Sequence, residues 1–495
     1  MKYSHLSCTT ILVGKNASFD GSTLMARDED SPPEIFNPKK YIVVKSNVQP
    51  KKYKLINSDI EILLPENPYQ YTAKPDAIEG NGIYGESGIN SVNIAMTATE
   101  TITSNEMVLG ADPLVDIGIG EADFLTIVLP YIKSAKEGVI RLGELLEKYG
   151  TYEFNGIGFQ DENDIWWMET IGGHHFAAKR VPDDAYVVCP NQQGIQSFDF
   201  VDAFGEQKNN ICSKDLIDFI KSNHLDLTLY SDKNEEKIEN NKNFDFRAAF
   251  GSKTDLDKTY STPRAWFMLR YFNKNSYKWD DFHSNFCPES LNLPWSLVPN
   301  HKITIEDIKY VLSSYYQGTK YNPYSKYGDL SENKKYRTIG YASNTQITIS
   351  QIRSNLPEKI KAIEWMSFGP NPFNALFPQY SRVNEMHNYL KNTTEEVSTD
   401  NIYWVNRLIG TLADQYFSET IPFVEKYQNL ISKKGHDFIN KFDNKYNENK
   451  EDNSYLENAN NEIVEFVKKE TNKLLGEVLH ISSLNMKNAF SRSDA

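Results

Sequence analysis

Cysteine is scarce in this sequence, and long apolar runs are absent. Its 495 residues include only four cysteines, at positions 8, 189, 212 and 287, with no C-x-x-C pair. So few cysteines in a chain of this length do not indicate a disulfide framework, and they favour a reducing compartment. No run of about 18 apolar residues is present to span a membrane, and the opening residues MKYSHLSCTTILVG lack the apolar core of a secretory signal. We therefore expect a cytoplasmic protein that does not contact a membrane.

Basic residues are outnumbered. The chain has 53 Lys and Arg residues against 67 Asp and Glu residues, which gives a formal net charge of −14. Nucleic-acid binding normally requires a basic patch, and no cluster of Lys and Arg qualifies, so we expect no nucleic-acid partner. The acidic balance favours solubility and indicates nothing specific about a substrate.

Cofactor and metal motifs are missing as well. GNGIYG (80–85) matches the G-x-G-x-x-G pattern, but no apolar strand precedes it, and the residues after it have the pattern of a strand and not of a helix. The metallopeptidase motif H-E-x-x-H does not occur. His174 and His175 are adjacent, so in a strand they would point to opposite faces and would not easily share one metal ion. We therefore expect neither a metal nor an organic cofactor.

What the sequence does contain is a series of short segments rich in β-branched and aromatic residues, separated by Gly, Asn and Asp. These are strand signals. They predict strands at 8–14, 22–28, 41–46, 60–65, 92–99, 156–161, 164–170, 174–181 and 185–190, and later at 337–353 and 361–369.

Helical patterns lie between and after these strands. Apolar residues recur at helical spacing through 121–149, where Pro130 is expected to divide two helices. A further amphipathic helix is predicted over 302–316, with Thr304 as its cap. From about 400 the chain is helical, and 437–465 is expected to form a solvated pair of helices joined by a loop. The order of elements predicts an α+β architecture with one catalytic domain and helical insertions.

Cys8 differs from the other cysteines because it opens a predicted strand close to the start of the chain. Removal of the preceding residues, MKYSHLS, would make it N-terminal. Its α-amine, with a pKa of about 8, would then accept the proton of its own thiol, so that one residue supplies both nucleophile and base. Taken alone, however, a cysteine at a strand start is more often a small buried residue.

The residues around Cys8 favour the first interpretation. CTTILVGKNASFDGSTLMARDED (8–30) resembles the opening of the dipeptidase A family of cysteine dipeptidases. These are N-terminal-nucleophile hydrolases, distantly related to choloylglycine hydrolases and penicillin V acylases. The resemblance is close over about the first 275 residues and looser beyond them. It continues in the blocks 84–106, 109–115, 118–139, 165–188 and 260–273.

This resemblance implies a fold, a processing event and an assembly. The fold is a four-layer αββα sandwich of the N-terminal-nucleophile hydrolase type with additional C-terminal helices. Residues 1–7 are a short propeptide removed by autocatalytic cleavage, and 8–495 form the catalytic domain. The enzyme acts on small dipeptides, needs no cofactor and forms a homo-oligomer.

Four further residues match positions that the wider superfamily uses in catalysis. Arg27 and Asp30 fit an R-x-x-D spacing, in which the arginine lowers the pKa of the thiol and the aspartate holds the new α-amine. Asn191 stands where the superfamily has a side-chain amide that stabilises the oxyanion. Arg264, in YSTPRAW, matches an arginine that supports the site. Without the resemblance, Arg27 and Asp30 are better interpreted as solvated charges of the acidic run RDED. Asn191 would be a turn residue after Pro190, and Arg264 an ion-paired structural arginine.

One position departs from the acylase relatives, which have another asparagine near the end of the strand aligned with 92–100. Here that place is taken by Thr99 or Glu100. A carboxylate there would pair with the α-ammonium group of a substrate and favour dipeptides with a free N-terminus. Glu100 would equally serve as a structural partner for an arginine.

Two alternatives remain from the sequence. One is an amidase or acylase on the same scaffold, acting on conjugated bile acids or penicillin V; the TATET departure argues against it. The other is a binding protein that is never processed and is not an enzyme. A metallopeptidase does not join them, because the sequence lacks any metal-ligand motif. The prediction is therefore a cysteine dipeptidase that acts through a thioester on Cys8.

Overall fold

A computed structural model describes residues 8–31, 36–78, 82–85, 87–228, 238–280, 283–447 and 454–487, and only the backbone of 98–101. Its strands are β1 (Thr9–Val13), β2 (Thr23–Asp30), β3 (Ile42–Val44), β4 (Lys52–Lys54), β5 (Glu61–Leu63), β6 (Tyr71–Ala73), β7 (Ser87–Ile89), β8 (Ala95–Thr101), β9 (Asn155–Gln160), β10 (Ile165–Ile171), β11 (His175–Arg180), β12 (Tyr186–Cys189), β13 (Asn210–Cys212), β14 (Ser296–Leu297), β15 (Asn344–Ile352), β16 (Ala362–Phe368) and β17 (Phe377–Tyr380).

The helices fall into three groups along the chain: α1–α3 before β9, α4–α9 between β12 and β15, and a final group after β17. They are α1 (Glu106–Ala111), α2 (Glu121–Val128), α3 (Ala135–Tyr149), α4 (Phe200–Ala203), α5 (Leu216–Ser222), α6 (Phe246–Phe250), α7 (Asp255–Tyr260), α8 (Thr262–Phe272), α9 (Ile305–Leu312), α10 (Asn388–Lys391), α11 (Ile402–Gln415), α12 (Phe417–Lys445) and α13 (Ser454–Leu484). Helices and antiparallel sheets together make an α+β fold, as the sequence predicted.

Most strands belong to two antiparallel sheets. The first sheet has the order β14-β12-β1-β2-β15-β16-β17, and the second has the order β13-β11-β10-β9-β8-β7. β1 and β2 lie near the middle of the first sheet, where strands pair on both sides. The start of β1, which follows Cys8, is therefore held by hydrogen bonds to β12 and β2.

The two sheets face each other across a shared apolar core. Leu12 of β1 and Met25 of β2 belong to the same buried cluster as Trp167 of the second sheet. The approach is closest at Gly158 of β9, where an added Cβ would lie 2.6 Å from Sδ of Met25. Only glycine leaves room there, because real Cβ contacts are longer.

Helices cover the outward faces of both sheets. Side chains of α2 and α3 share a core with Phe159 and Met168 of the second sheet. Ile11 and Ala26 of the first sheet share a core with residues of α8, α9, α11, α12 and α13. No helix within the described segments, including the long α12 and α13, is both long and apolar enough to cross a lipid bilayer.

The predicted helices at 121–149 are confirmed, with a short 3₁₀ turn at Leu129–Tyr131 between α2 and α3. The predicted helix at 302–316 is shorter, since α9 ends at Leu312. Its cap is as expected, because Thr304 Oγ1 accepts the backbone N–H of Asp307 and the Asp307 side chain accepts in return.

Two predictions were wrong in extent. The strand predicted over 337–353 begins only at Asn344. The side chains of Arg337 and Asn344 both bind Asp30, so the segment before Asn344 is held by these contacts and does not pair as a strand. The pair at 437–465 is not simply solvated. Phe442 is buried, and Asn460 Oδ1 accepts the backbone N–H of Tyr380 in β17, so these helices pack onto the first sheet.

Candidate active site

Cys8 directly precedes β1, the strand that begins at Thr9. Side chains alternate along β1, so Cys8 shares a face with Thr10 and Leu12, and Leu12 packs in the core between the sheets. Thr10 is paired directly with Arg27 of β2. Cys8 is only 1% exposed. The register therefore brings the Arg27 side chain beside the thiol.

Arg27 is buried and joins the thiol to a carboxylate. Its Nη2 lies 2.8 Å from Sγ of Cys8 and 3.0 Å from Oε1 of Glu121. Glu121 is likewise 2% exposed. A guanidinium donates through several N–H groups in a fixed plane, so one group can hold both partners. A positive charge this close to sulfur stabilises the thiolate.

Glu121 is itself fixed by other groups. Tyr84 donates its hydroxyl to Oε2 at 3.0 Å. The backbone N–H of Glu121, the first residue of α2, donates to Oε1 of Glu153 at 2.8 Å. Burial and the adjacent charge of Glu121 raise the pKa of Glu153 to about 8.

Arg264 approaches Cys8 from the opposite face of the first sheet. It lies on α8 and is fully buried. Its Nη1 donates to the carbonyl of Cys8 at 2.7 Å and to Oγ1 of Thr9 at 2.8 Å, and its Nε donates to the carbonyl of Tyr260 at 2.7 Å. The arginine thus fixes the backbone of the residue that the sequence predicts to be the nucleophile.

Asn191 is joined to the same arginine. It follows β12, the strand beside β1, and its Oδ1 accepts from Nη2 of Arg264 at 2.5 Å. Ser261 donates its hydroxyl to the Asn191 carbonyl at 3.2 Å. Because Oδ1 is directed at the arginine, the amide is oriented with its Nδ2 donor end pointing the other way.

Asp30 occupies a different layer. It shares a face of β2 with Asp28, opposite to the face of Arg27, because side chains alternate. There it is bound by the guanidinium of Arg337, and it accepts from Nδ2 of Asn344 at 2.5 Å. Burial and the charge of Asp30 raise the pKa of Asp28 well above its usual range. Asp30 therefore belongs to a buried network of charges on the far face of β2.

Thr99 and Glu100 were predicted to bind substrate, but their side chains lie outside the described residues. The backbone of Glu100 is described. It pairs with Gly156 of β9, after an irregularity in the ladder that follows Thr97.

His174 and His175 lie away from Cys8, at the start of β11. Their Nδ1 atoms are 3.0 Å and 2.7 Å from the two oxygens of Asp112. Although burial opposes it, hydrogen bonds from the two histidines lower the pKa of Asp112 to about 2. Across the described segments, no group of three or more His, Cys, Asp or Glu residues is placed to hold a metal ion.

The structure gathers Arg27, Asn191 and Arg264 around Cys8, and it adds two residues that the sequence analysis missed. Glu121 accepts from Arg27, and Tyr84 donates to Glu121, so both are linked indirectly to the thiol. Both lay in blocks that carried the family resemblance, but no local motif marks a carboxylate 94 positions from its arginine. Only the tertiary packing of α2, whose first residue is Glu121, brings the carboxylate to Arg27.

Comparison with known proteins identifies the group to which the chain is similar. The model of peptidase family C69 matches residues 7–430. The chain is 46% identical to a dipeptidase of Bifidobacterium longum, over 99% of this chain and 100% of the relative. It is 48% identical to a probable dipeptidase A of Streptococcus pyogenes serotype M1, over 100% and 99% of the two chains. It is 40% identical to a probable dipeptidase B of Lactococcus lactis, over 99% and 98%.

Proposed function

The chain belongs to peptidase family C69 and is a dipeptidase, and we propose that the thiol of Cys8 attacks the peptide carbonyl of its substrate. The observation that carries this proposal is the contact between Sγ and the buried Arg27 guanidinium at 2.8 Å. A thiolate is the nucleophilic form of cysteine, and a neighbouring cation stabilises it. Among the other cysteines, Cys212 lies in an apolar core where burial raises the pKa of its thiol far above the usual range, and Cys287 is exposed.

The proposed reaction proceeds through a thioester. Sγ of Cys8 forms a bond to the carbonyl carbon, and the α-amine of Cys8 takes the thiol proton. The C–N bond then breaks, and the leaving amine receives that proton from the α-ammonium group. Water attacks the thioester, with the α-amine again as the base, and releases the second amino acid and the thiol.

Asn191 and Arg264 have distinct parts in this proposal. Asn191 donates through Nδ2 to the oxyanion that forms on the carbonyl oxygen, together with backbone N–H groups. Arg264 contacts Oδ1 of Asn191 and the carbonyl of Cys8, so it keeps donor and nucleophile at a fixed separation. Loss of one oxyanion donor typically slows a reaction by about 10²–10³-fold.

Such a mechanism needs a free α-amine on Cys8, so we include autocatalytic removal of residues 1–7 in the proposal. The mature chain would be 8–495, one catalytic domain. Asp30, which the resemblance assigns to the new α-amine, is close in sequence to Arg27 but lies in the network of Arg337 and Asn344. Its proposed part is to hold the new α-amine of Cys8, with Arg337 and Asn344 fixing the orientation of its carboxylate.

The finer fold and the setting of the enzyme belong to the same proposal. Two facing sheets with helices on both outer faces support a four-layer αββα sandwich of the N-terminal-nucleophile hydrolase type. The cysteine content supports a cytoplasmic location. We also retain the expectation of a homo-oligomer, which sedimentation of the purified protein tests.

A substrate panel with two variants tests the proposed function. The wild type, Cys8→Ala and Cys8→Ser are assayed on unmodified dipeptides, N-acetyl dipeptides, a conjugated bile acid and penicillin V. The proposal predicts hydrolysis of unmodified dipeptides by the wild type alone, loss of that activity after thiol alkylation, and no inhibition by EDTA. Preferred turnover of the bile acid or penicillin V would favour the acylase alternative, and full activity of Cys8→Ala would refute the role of Cys8.

A further inference from the structure

The two charged termini are the features that all dipeptides share, so an enzyme for dipeptides has reason to recognise them. We propose that the carboxylate of Glu121 binds the free α-ammonium group of the dipeptide whose carbonyl Cys8 attacks. The proposal rests on the proposed role of Cys8 as nucleophile. It assigns a substrate-binding residue that the sequence alone did not indicate.

Distances support this assignment. Nη2 of Arg27 is 2.8 Å from Sγ of Cys8 and 3.0 Å from Oε1 of Glu121, so Sγ and Oε1 are at most about 5.8 Å apart. In a productive complex the carbonyl carbon lies about 3–3.5 Å from the nucleophile. The α-nitrogen lies about 2.5 Å from that carbon, by standard bond geometry. An ammonium group in hydrogen-bond contact with Glu121 is therefore compatible with attack by Cys8.

The charges point the same way. Arg27 carries one positive charge and contacts two groups that are negative during catalysis, the thiolate and Glu121. In the proposed reaction the α-ammonium group of Cys8 balances the thiolate. The carboxylate of Glu121 is then the negative end of a buried ion pair, and a cationic group of the substrate is its complementary partner. Each carboxylate oxygen has a second lone pair, so Glu121 can accept from the substrate while it keeps Arg27 and Tyr84.

Other carboxylates near Cys8 are less well placed. Asp28 and Asp30 lie on the opposite face of β2. Glu29 shares the face of Arg27, but it is ion-paired with the fully buried Lys39 at 2.5 Å. Glu121 and Cys8 are both nearly inaccessible in this structure. A dipeptide is about 7 Å long when extended, so one molecule with its carbonyl at the thiol is long enough to reach Glu121 as well.

Binding of a non-hydrolysable analogue separates this role from the chemistry. The probe is a dipeptide analogue in which a methylene group replaces the peptide N–H, used with a free amine and, separately, with an N-acetyl group. Calorimetry measures the affinity of the wild type and of Glu121→Gln for both probes. Glutamine keeps the shape and an acceptor for Arg27 but removes the charge. We expect Glu121→Gln to bind the free-amine probe about 10- to 100-fold more weakly, with the N-acetyl probe unchanged.

Two matched variants control for the loss of any nearby carboxyl group. Glu153 is in contact with Glu121, and its raised pKa keeps it neutral at pH 7, so Glu153→Gln replaces one neutral group by another. Its affinities at pH 7 should equal those of the wild type. Glu100→Gln tests the residue that the sequence proposed for the same role, and it should leave the preference for the free amine intact.

Several outcomes would overturn the proposal. Equal weakening of both probes by Glu121→Gln would mean that Glu121 only holds Arg27, and loss of preference in Glu100→Gln instead would assign the role to that residue. If Glu121→Gln does not fold, Tyr84→Phe removes a bond to the same carboxylate and should weaken the free-amine probe selectively; no change there contradicts the proposal. Alkylation of Cys8 in the wild type distinguishes the two failures, since retained activity after alkylation refutes the proposed function itself.

Discussion

Replacement of Arg27 by glutamine should make the Cys8 thiol far less reactive at neutral pH. The guanidinium lies 2.8 Å from Sγ, and both groups are buried, so its charge is little screened by solvent. Glutamine retains a hydrogen-bond donor of smaller reach but removes the charge. The thiolate would then lose its nearest cation, and alkylation would require a higher pH.

Coulomb's law gives the size of this effect. At an effective dielectric constant of about 20, a unit charge about 3 Å from the sulfur stabilises the thiolate by about 6 kcal/mol. The charge of Glu121, at most about 6 Å away, opposes it by about 3 kcal/mol. The two charges together therefore favour the thiolate by about 3 kcal/mol, so removal of the arginine corresponds to a shift of about 2 pH units or more.

The assay is the rate of alkylation by iodoacetamide as a function of pH, with mass spectrometry to identify alkylated Cys8. Cys287 is exposed and would react, so all proteins carry Cys287→Ser. Burial raises the pKa of the Cys212 thiol far above its usual range, which keeps it unreactive. Arg270→Gln, which removes a surface arginine paired with Asp280, is the control.

Intact mass establishes that all variants are compared in the same N-terminal form. Arg27→Gln should raise the midpoint of the pH profile by about 2 units, and Arg270→Gln should leave it unchanged. A midpoint in Arg27→Gln equal to that of the wild type would refute the reasoning, because it would show that the guanidinium does not stabilise the thiolate.

Three further variants test other parts of the structure. Arg264→Lys keeps the charge, but one ammonium group cannot replace the planar set of bonds, so we expect unfolding in urea to show a loss of about 2–4 kcal/mol and kcat to fall. As the pH rises from 5 to 8, the unfolded wild type loses the proton of Glu153 before the folded state does, because folding raises the pKa of Glu153 to about 8. The free energy of unfolding of the wild type therefore falls over this range. Glutamine does not titrate, so Glu153→Gln should become more stable relative to the wild type as the pH rises. Gly88→Ala should destabilise the fold by more than about 1–3 kcal/mol, because its Cβ would lie 1.8 Å from the carbonyl oxygen of Thr72. Gly110→Ala, whose Cβ would have nothing within 4 Å, is the control and should not destabilise the fold. Thermal unfolding of the two variants makes the comparison.

Much of the fold followed from local patterns. The strands beginning at Thr9 and Thr23, the division of helices near Pro130 and the cap at Thr304 are all encoded within a few residues. The late start of β15 was not predictable in this way. The spacing of apolar residues does not mark Asn344 as the start of the strand. Its position is set by a hydrogen bond to Asp30, which is 314 positions away in the sequence.

The site residues also divide into those that local patterns suggest and those that depend on contacts between distant segments. The sequence singled out Cys8 and Arg27 as candidates only through the family resemblance, since position and spacing alone favoured ordinary structural roles. The register of β1 and β2 then places them side by side. Glu121, Tyr84 and the buried network of Asp28 depend on contacts between distant segments, for which a single sequence carries no periodic signal. Long-range polar contacts are set by tertiary packing, and local propensity does not report them.

The helical C-terminal region shows how burial can be misjudged from composition. Its abundance of Asn, Lys and Glu predicted a solvated pair of helices. Long polar helices nevertheless bury one face when a sheet needs cover. Asn460 and Asp443 are used to bind β17 and Arg353, so even polar residues there are structural. Polarity alone did not distinguish an exposed helix from one that covers a sheet.

The most direct measurement is the intact mass and N-terminal sequence of the purified wild type beside those of Cys8→Ala. If Cys8 acts through its own α-amine and frees itself, the wild type begins at Cys8 and Cys8→Ala retains Met1. A wild type that retains Met1 and still hydrolyses dipeptides would contradict this mechanism, and the base would then have to be sought among other residues.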